Sequence, residues 1–116
     1  MANKSYDVIV IGGGILGSTT AYYLKKHGVP KVLIVERGDV ASGGTGKSAA
    51  IIRSYYSIPV MVRLAKEAVK LFHNLEDEIG VDGGFRPTGF TQLVPPDWVE
   101  KASELVAMHQ ELGIDT

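Results

Sequence analysis

The stretch Tyr6-Asp7-Val8-Ile9-Val10-Ile11-Gly12-Gly13-Gly14-Ile15-Leu16-Gly17 decides the fold. An apolar run enters G-x-G-x-x-G, and a helical pattern follows. A second apolar run, Lys31-Val32-Leu33-Ile34-Val35-Glu36, then ends on an acid. Strand, glycine turn, helix, strand and acid in this order predict a Rossmann-like βαβ dinucleotide-binding unit and an α/β fold. Gly12 lets the chain leave the strand sharply. Gly14 bares the backbone to a pyrophosphate, and Gly17 lets the helix pack against the strand. Ile15 opens the helix, whose free N–H groups and positive dipole end favour an anion. Glu36 lies at the expected spacing of about 20 residues, where a carboxylate accepts hydrogen bonds from ribose hydroxyls. The helix should run through Leu24 and end near His27, with Gly28 at C′. A glycine turn in an ordinary α/β protein is the bland alternative, but it leaves the acid at the end of the second strand unexplained.

The 116 residues amount to one small domain at most. A net charge of −1 gives no electrostatic case for nucleic acid or an anionic membrane surface. The absence of cysteine excludes disulfides, thiolate metal sites and cysteine nucleophiles. No histidine or carboxylate cluster has metal-ligand spacing. Apolar runs fall far short of the roughly 20 residues of a membrane helix. The first strand begins at once, without a signal-peptide pattern, so a cytoplasmic protein is expected. A doubly wound domain needs more parallel strands than this unit supplies, and no further βα repeat follows Glu36. The chain therefore reads as an N-terminal fragment of a larger two-domain protein, or as one that relies on a partner.

Two regions are expected: 1–57, the βαβ unit with a second glycine-rich loop, and 58–116, a helix, a β-hairpin and a helix leading towards a further domain. Ser57 reads as an N-cap with Pro59 in the first turn. Met61, Leu64, Ala65, Ala68, Leu71, Phe72, Leu75 and Ile79 then keep helical spacing up to Gly80. Phe85 to Val94 reads as a strand pair. Asp97 with Glu100 forms a capping-box-like start to a last helix, whose Trp98, Ala102, Leu105, Val106 and Leu112 lie near one face, and Gly113 stops it. His73 reads as a helix-surface or core residue, whereas His27 and His109, near helix ends, read as solvated.

The second loop, Ser42-Gly43-Gly44-Thr45-Gly46-Lys47-Ser48-Ala49-Ala50, has two readings. Ala41-x-x-x-x-Gly46-Lys47-Ser48 is a loose phosphate-loop pattern. A phosphate loop leaves its strand directly, whereas Arg37-Gly38-Asp39-Val40 intervenes here. Its usual first glycine is also an alanine. The other reading is that both glycine loops serve one cofactor.

On that second reading GGGILG, Glu36-Arg37-Gly38, the Ser42–Ala50 loop and Ile51-Ile52-Arg53-Ser54-Tyr55-Tyr56-Ser57 together resemble the FAD-dependent D-amino-acid oxidase superfamily. The resemblance is nearest to its amine-oxidising branch of sarcosine oxidase β subunits and sarcosine and dimethylglycine dehydrogenases. Arg86-x-Thr88-Gly89 resembles the family's hairpin at the substrate-domain edge. The resemblance spans almost the whole chain, but only about the first third of such an enzyme.

It implies an oxidoreductase that passes hydride from the C–N bond of a small amino acid or N-methyl amine to a flavin. Gly12, Gly14, Ile15 and Gly17 would hold the FAD pyrophosphate, and Glu36 the ribose, with Arg37 beside the adenine. Gly43, Gly44, Thr45, Gly46, Lys47, Ser48, Ala49 and Ala50 would run along FAD. Arg53 would grip the substrate carboxylate, because a guanidinium fork does so bidentately. The opposing reading makes Arg53 a structural arginine paired with a carboxylate of the protein. Tyr55 and Tyr56 read as packing residues. The segment lacks the cysteine or histidine through which some relatives attach flavin, so noncovalent FAD is expected. Some relatives carry a second arginine where this chain has Ala50, so the substrate grip differs there. A non-catalytic nucleotide-binding or partner subunit and an NAD-dependent Rossmann protein remain the alternatives.

Overall fold

The structure, a computed structural model, describes residues 5–116, which divide into two compact units, 5–51 and 52–116. In the first unit, β1 (Val8–Ile11) leads through the glycine turn to α1 (Ile15–Lys26) and on to β2 (Val32–Val35). The strands pair in parallel, Val8 opposite Val32 and Ile11 opposite Val35. Parallel strands cannot be joined by a tight turn, and α1 supplies the crossover. A Cβ on Gly17 would meet the Gly12 carbonyl oxygen and lie 3.4 Å from Val10 Cγ1, so α1 covers the Val8 and Val10 face. Ile9 and Ile11 point to the opposite face, where they are 57% and 88% exposed. Helix α1 ends as its sequence implies. His27 is the C-cap and Gly28 takes φ +91°, a left-handed conformation that glycine adopts without strain.

The second unit contains α2 (Pro59–His73), α3 (Leu75–Ile79), a 3₁₀ turn at Pro96–Trp98 and α4 (Val99–Glu111). Four details depart from the sequence reading. Proline at N1 drives the preceding residue to extended backbone, so the cap position falls on Ile58 (φ −116°, ψ 120°) and Ser57 plays no part. The continuous pattern up to Gly80 is broken at Asn74, which serves as C-cap of α2 and N-cap of α3 at φ −102°, ψ 15°. The capping box at Asp97 does not form: the 3₁₀ turn comes first, and no side chain caps α4. Phe85 to Val94 forms no strand, because no ladder of backbone hydrogen bonds satisfies it among the described residues.

The apolar core is thin. Among the described residues, Ala21 in the first unit and Val62 in the second are its buried hydrophobic side chains. Lys66 of α2 donates to the Leu112 carbonyl oxygen at 2.8 Å, placing a cation at the C-terminal end of α4, where the helix dipole favours it. No helix of the described residues is long and apolar enough to cross a membrane.

Candidate cofactor and substrate sites

In the first unit the two glycine-rich loops meet. The turn starts with Gly12 at φ +104°, its N–H donating to the Val35 carbonyl at 2.8 Å. Gly13 is buried, and its N–H donates to Glu36 Oε2 at 2.7 Å. The other carboxylate oxygen, Oε1, accepts from the Gly38 N–H at 3.1 Å. One side chain thus ties the strand-to-helix turn to the loop leaving β2. The second loop closes on the same turn from its other side. Ala41 N–H donates to the Gly13 carbonyl at 3.1 Å, and Ile15 N–H donates to Thr45 Oγ1 at 2.9 Å. Thr45 therefore satisfies one of the orphan donors at the start of α1, whose own N-cap is Gly14 with no side chain to offer.

Glycine at 14 and 46 has a visible reason. A Cβ on Gly14 would stand 2.9 Å from Thr45 Oγ1, and one on Gly46 would collide with the Ala41 carbonyl oxygen, to which the Gly46 N–H donates at 2.8 Å. Nothing lies within 4 Å of a Cβ at Gly43 or Gly44, so their smallness serves no packing within the chain itself. Ser48 Oγ accepts from the Ala50 N–H at 3.1 Å, and Ala50 sits at φ 52°. Arg37, Lys47 and Ala49 are exposed.

These residues fit a dinucleotide. The first turn of α1 carries no acid to repel a phosphate. Gly14 presents no side chain there, and the one group standing against it is the small hydroxyl of Thr45. Glu36 spends one acceptor position on each of two N–H groups, and an ionised carboxylate has roughly four, so acceptors remain for hydroxyls. The N–H groups of Gly13 and Gly38 hold the Glu36 carboxyl below its ordinary value of 4.5. A depressed folded-state value means that stability is present above pH 4.5 and lost as pH falls through the lowered value. Thermal melting against pH is expected to show this acid-side loss in the native chain and a flatter profile in Glu36→Gln. Thr45→Val keeps the shape but removes the acceptor for Ile15, and melting is expected to report a loss of about 1 kcal/mol, the usual worth of a helix cap.

The second unit contains a cavity of about 680 Å³, lined among others by Arg53, Tyr55, His73, Phe85, Phe90 and His109. The Arg53 guanidinium lies over two rings, 5.8 Å from the Tyr56 centroid and 5.5 Å from that of Phe90. It makes no ion pair with a carboxylate among the described residues, so the structural-pairing reading has no partner to name. Arg86, also on the cavity, is by contrast already neutralised. Its guanidinium donates to both oxygens of Asp82 at 2.7 and 3.2 Å and holds that carboxyl down to about 2. Tyr55 packs against Phe90 and His109, with ring centroids 5.3 and 5.1 Å apart.

His109 corrects the expectation of a solvated residue: it is 0% exposed. Position along the chain misled here, because helix ends are usually wet. The face was the better guide, since His109 follows Leu105 by four and Val106 by three on the stripe that turns inward. Its Nε2 lies 2.8 Å from the Tyr56 carbonyl oxygen. A carbonyl only accepts, so Nε2 carries the proton and donates. Nδ1 is then a buried acceptor with no partner. Leaving such a group unpaired costs about 1–3 kcal/mol.

The parallel βαβ unit, the turn glycines and the acid after β2 define a Rossmann-type nucleotide-binding fold. Residues 7–116 match the DAO family of FAD dependent oxidoreductases, and the chain belongs to that family. It is 40% identical over 91 residues to sarcosine oxidase subunit beta of Rhodobacter capsulatus, covering 78% of this chain and 22% of that protein. It is 36% identical over 87 residues to the mitochondrial pyruvate dehydrogenase phosphatase regulatory subunit of Mus musculus, covering 75% and 10%. Among solved structures it resembles L-proline dehydrogenase from P. horikoshii, with a TM-score of 0.76 and 26% identity over 95% of this chain and 29% of that one. The chain thus spans less than a third of each of these relatives.

Proposed function

We propose that this chain is the N-terminal FAD-binding part of an oxidoreductase that oxidises the C–N bond of a small amino acid or N-methyl amine. The observation that carries the proposal is the convergence of both glycine loops on one helix N-terminus, through Ala41, Thr45 and Glu36. Gly12, Gly14, Ile15 and Gly17 would hold the pyrophosphate of a noncovalently bound FAD, and Glu36 the ribose. Arg37 and the Gly43–Ala50 loop would flank the remainder. When bound, the cofactor accepts the hydride lost from the carbon next to nitrogen, and water hydrolyses the resulting imine.

Arg53 would bind the substrate carboxylate. Two observations support this role: its guanidinium pairs with no acid among the described residues, and it borders a cavity large enough for a small amino acid. The substrate class is supported by the names of two relatives, a sarcosine oxidase subunit and a proline dehydrogenase, since both name secondary amino acids. A second reading, a non-catalytic FAD-binding subunit, draws on the relative named as a regulatory subunit. Anaerobic addition of sarcosine or proline to the intact flavoprotein separates the two. Bleaching of the flavin absorbance is expected for the enzyme. A stable yellow colour with every small amino acid and N-methyl amine tried would leave the subunit reading, and a protein that cannot be loaded with FAD would remove both.

A further inference from the structure

A fully buried histidine stands behind the arginine to which the proposed function gives the substrate carboxylate. Arg53 heads the segment Arg53-Ser54-Tyr55-Tyr56, which belongs to no helix or strand. Irregular backbone does not hold a long side chain in place by itself, so something must fix this segment. The imidazole of His109 does so twice. Its Nε2–H donates to the Tyr56 carbonyl at 2.8 Å. Its ring meets that of Tyr55 edge-on, at 5.1 Å between centroids and 67° between planes. Tyr55 in turn packs on Phe90, the ring over which the guanidinium lies.

An apolar residue would fill the same volume without leaving Nδ1 unpaired. The gain offered by the imidazole is the Nε2–H bond to the backbone of the arginine's own segment. α4 contributes His109 from its last turn, so a regular helix is the reference against which the segment is held.

We propose that His109 is a positioning residue for Arg53, holding residues 53–56 so that the guanidinium stands over Phe90 at the edge of the cavity. This rests on the reading of Arg53 as the carboxylate anchor, and the experiment separates the two. In the intact flavoprotein, His109→Phe keeps an aromatic ring but loses the donor. KM for the amino-acid substrate is expected to rise about tenfold, the worth of one such hydrogen bond, with kcat within about twofold. The corresponding amine without a carboxylate should show no such rise. His109→Gln, whose amide can donate to the same carbonyl, should recover most of the loss.

Arg53→Gln, run in parallel, tests the anchor alone. If it discriminates against the carboxylate while His109→Phe leaves KM unchanged, the positioning role is overturned and the anchor stands. If Arg53→Gln shows no carboxylate discrimination, both fail. The native ring provides a check that no variant's folding can spoil. Its ¹⁵N shifts are expected to show a protonated Nε2 and a bare Nδ1, and a neutral ring protonated at Nδ1 would overturn the proposal.

Discussion

Gly17→Ala is expected to abolish FAD binding and to cost the first unit much of its stability. The added Cβ would collide with the Gly12 carbonyl oxygen and press on Val10 Cγ1. Neither neighbour is the far end of a flexible side chain, so α1 has to move away from β1 or the glycine turn has to open. Overpacking a well-packed contact costs typically 1–3 kcal/mol, and a clash with backbone belongs at or above the upper end. The displacement falls on the helix N-terminus that both glycine loops share, so the phosphate site is lost along with the packing. FAD affinity should fall at least about 100-fold, equivalent to roughly 2.7 kcal/mol. Melting of the apo chain and flavin fluorescence titration measure the two effects separately. A variant that melts and binds like the native chain would contradict the close helix–strand approach.

Arg53→Gln is expected to have the largest effect on turnover with almost none on stability. The guanidinium is exposed and rests on two rings, a contact worth about 0.5–1 kcal/mol at such a site. If the bound substrate buries the pair, as the proposed anchor role requires, a carboxylate left without its cation costs about 2–5 kcal/mol, so kcat/KM for a small amino acid should fall roughly 30- to several-thousand-fold. Lysine should restore part of this, since it returns the charge without the fork. Steady-state kinetics with an amino acid and with its decarboxylated amine measure the effect. Equal losses with both substrates would assign Arg53 to folding.

The βαβ unit was legible because its rules are local. Strand period, glycine spacing and a terminal acid all lie within the stretch from Val8 to Glu36, and β1, α1, β2 and the Gly28 end follow them. The link between the loops was not legible. Ile15 and Thr45 are 30 residues apart, and nothing in either marks the other as its partner. The local spacing assigns Glu36 to a ribose alone, but its bond to Gly13 spans 23 residues and depends on the strands pairing in register.

The second unit is less legible because its signals compete. Helical spacing ran unbroken through Asn74, whereas the backbone stops there. Residues 85–94 carry strand-like side chains but have no neighbouring strand among the described residues, and β structure exists only in pairs. His109 shows the same limit at the level of a single residue. Its place near a helix end argues for solvent and its helical register for the interior, and register prevails.

Whether both glycine loops grip one FAD is tested by titration of the apo flavoprotein with FAD and with NAD, followed by flavin fluorescence and competition. Tight FAD binding, no displacement by equimolar NAD, and a weaker complex in Glu36→Gln are expected. NAD binding that matches or exceeds FAD, or a chain that ignores both nucleotides, would contradict that shared grip.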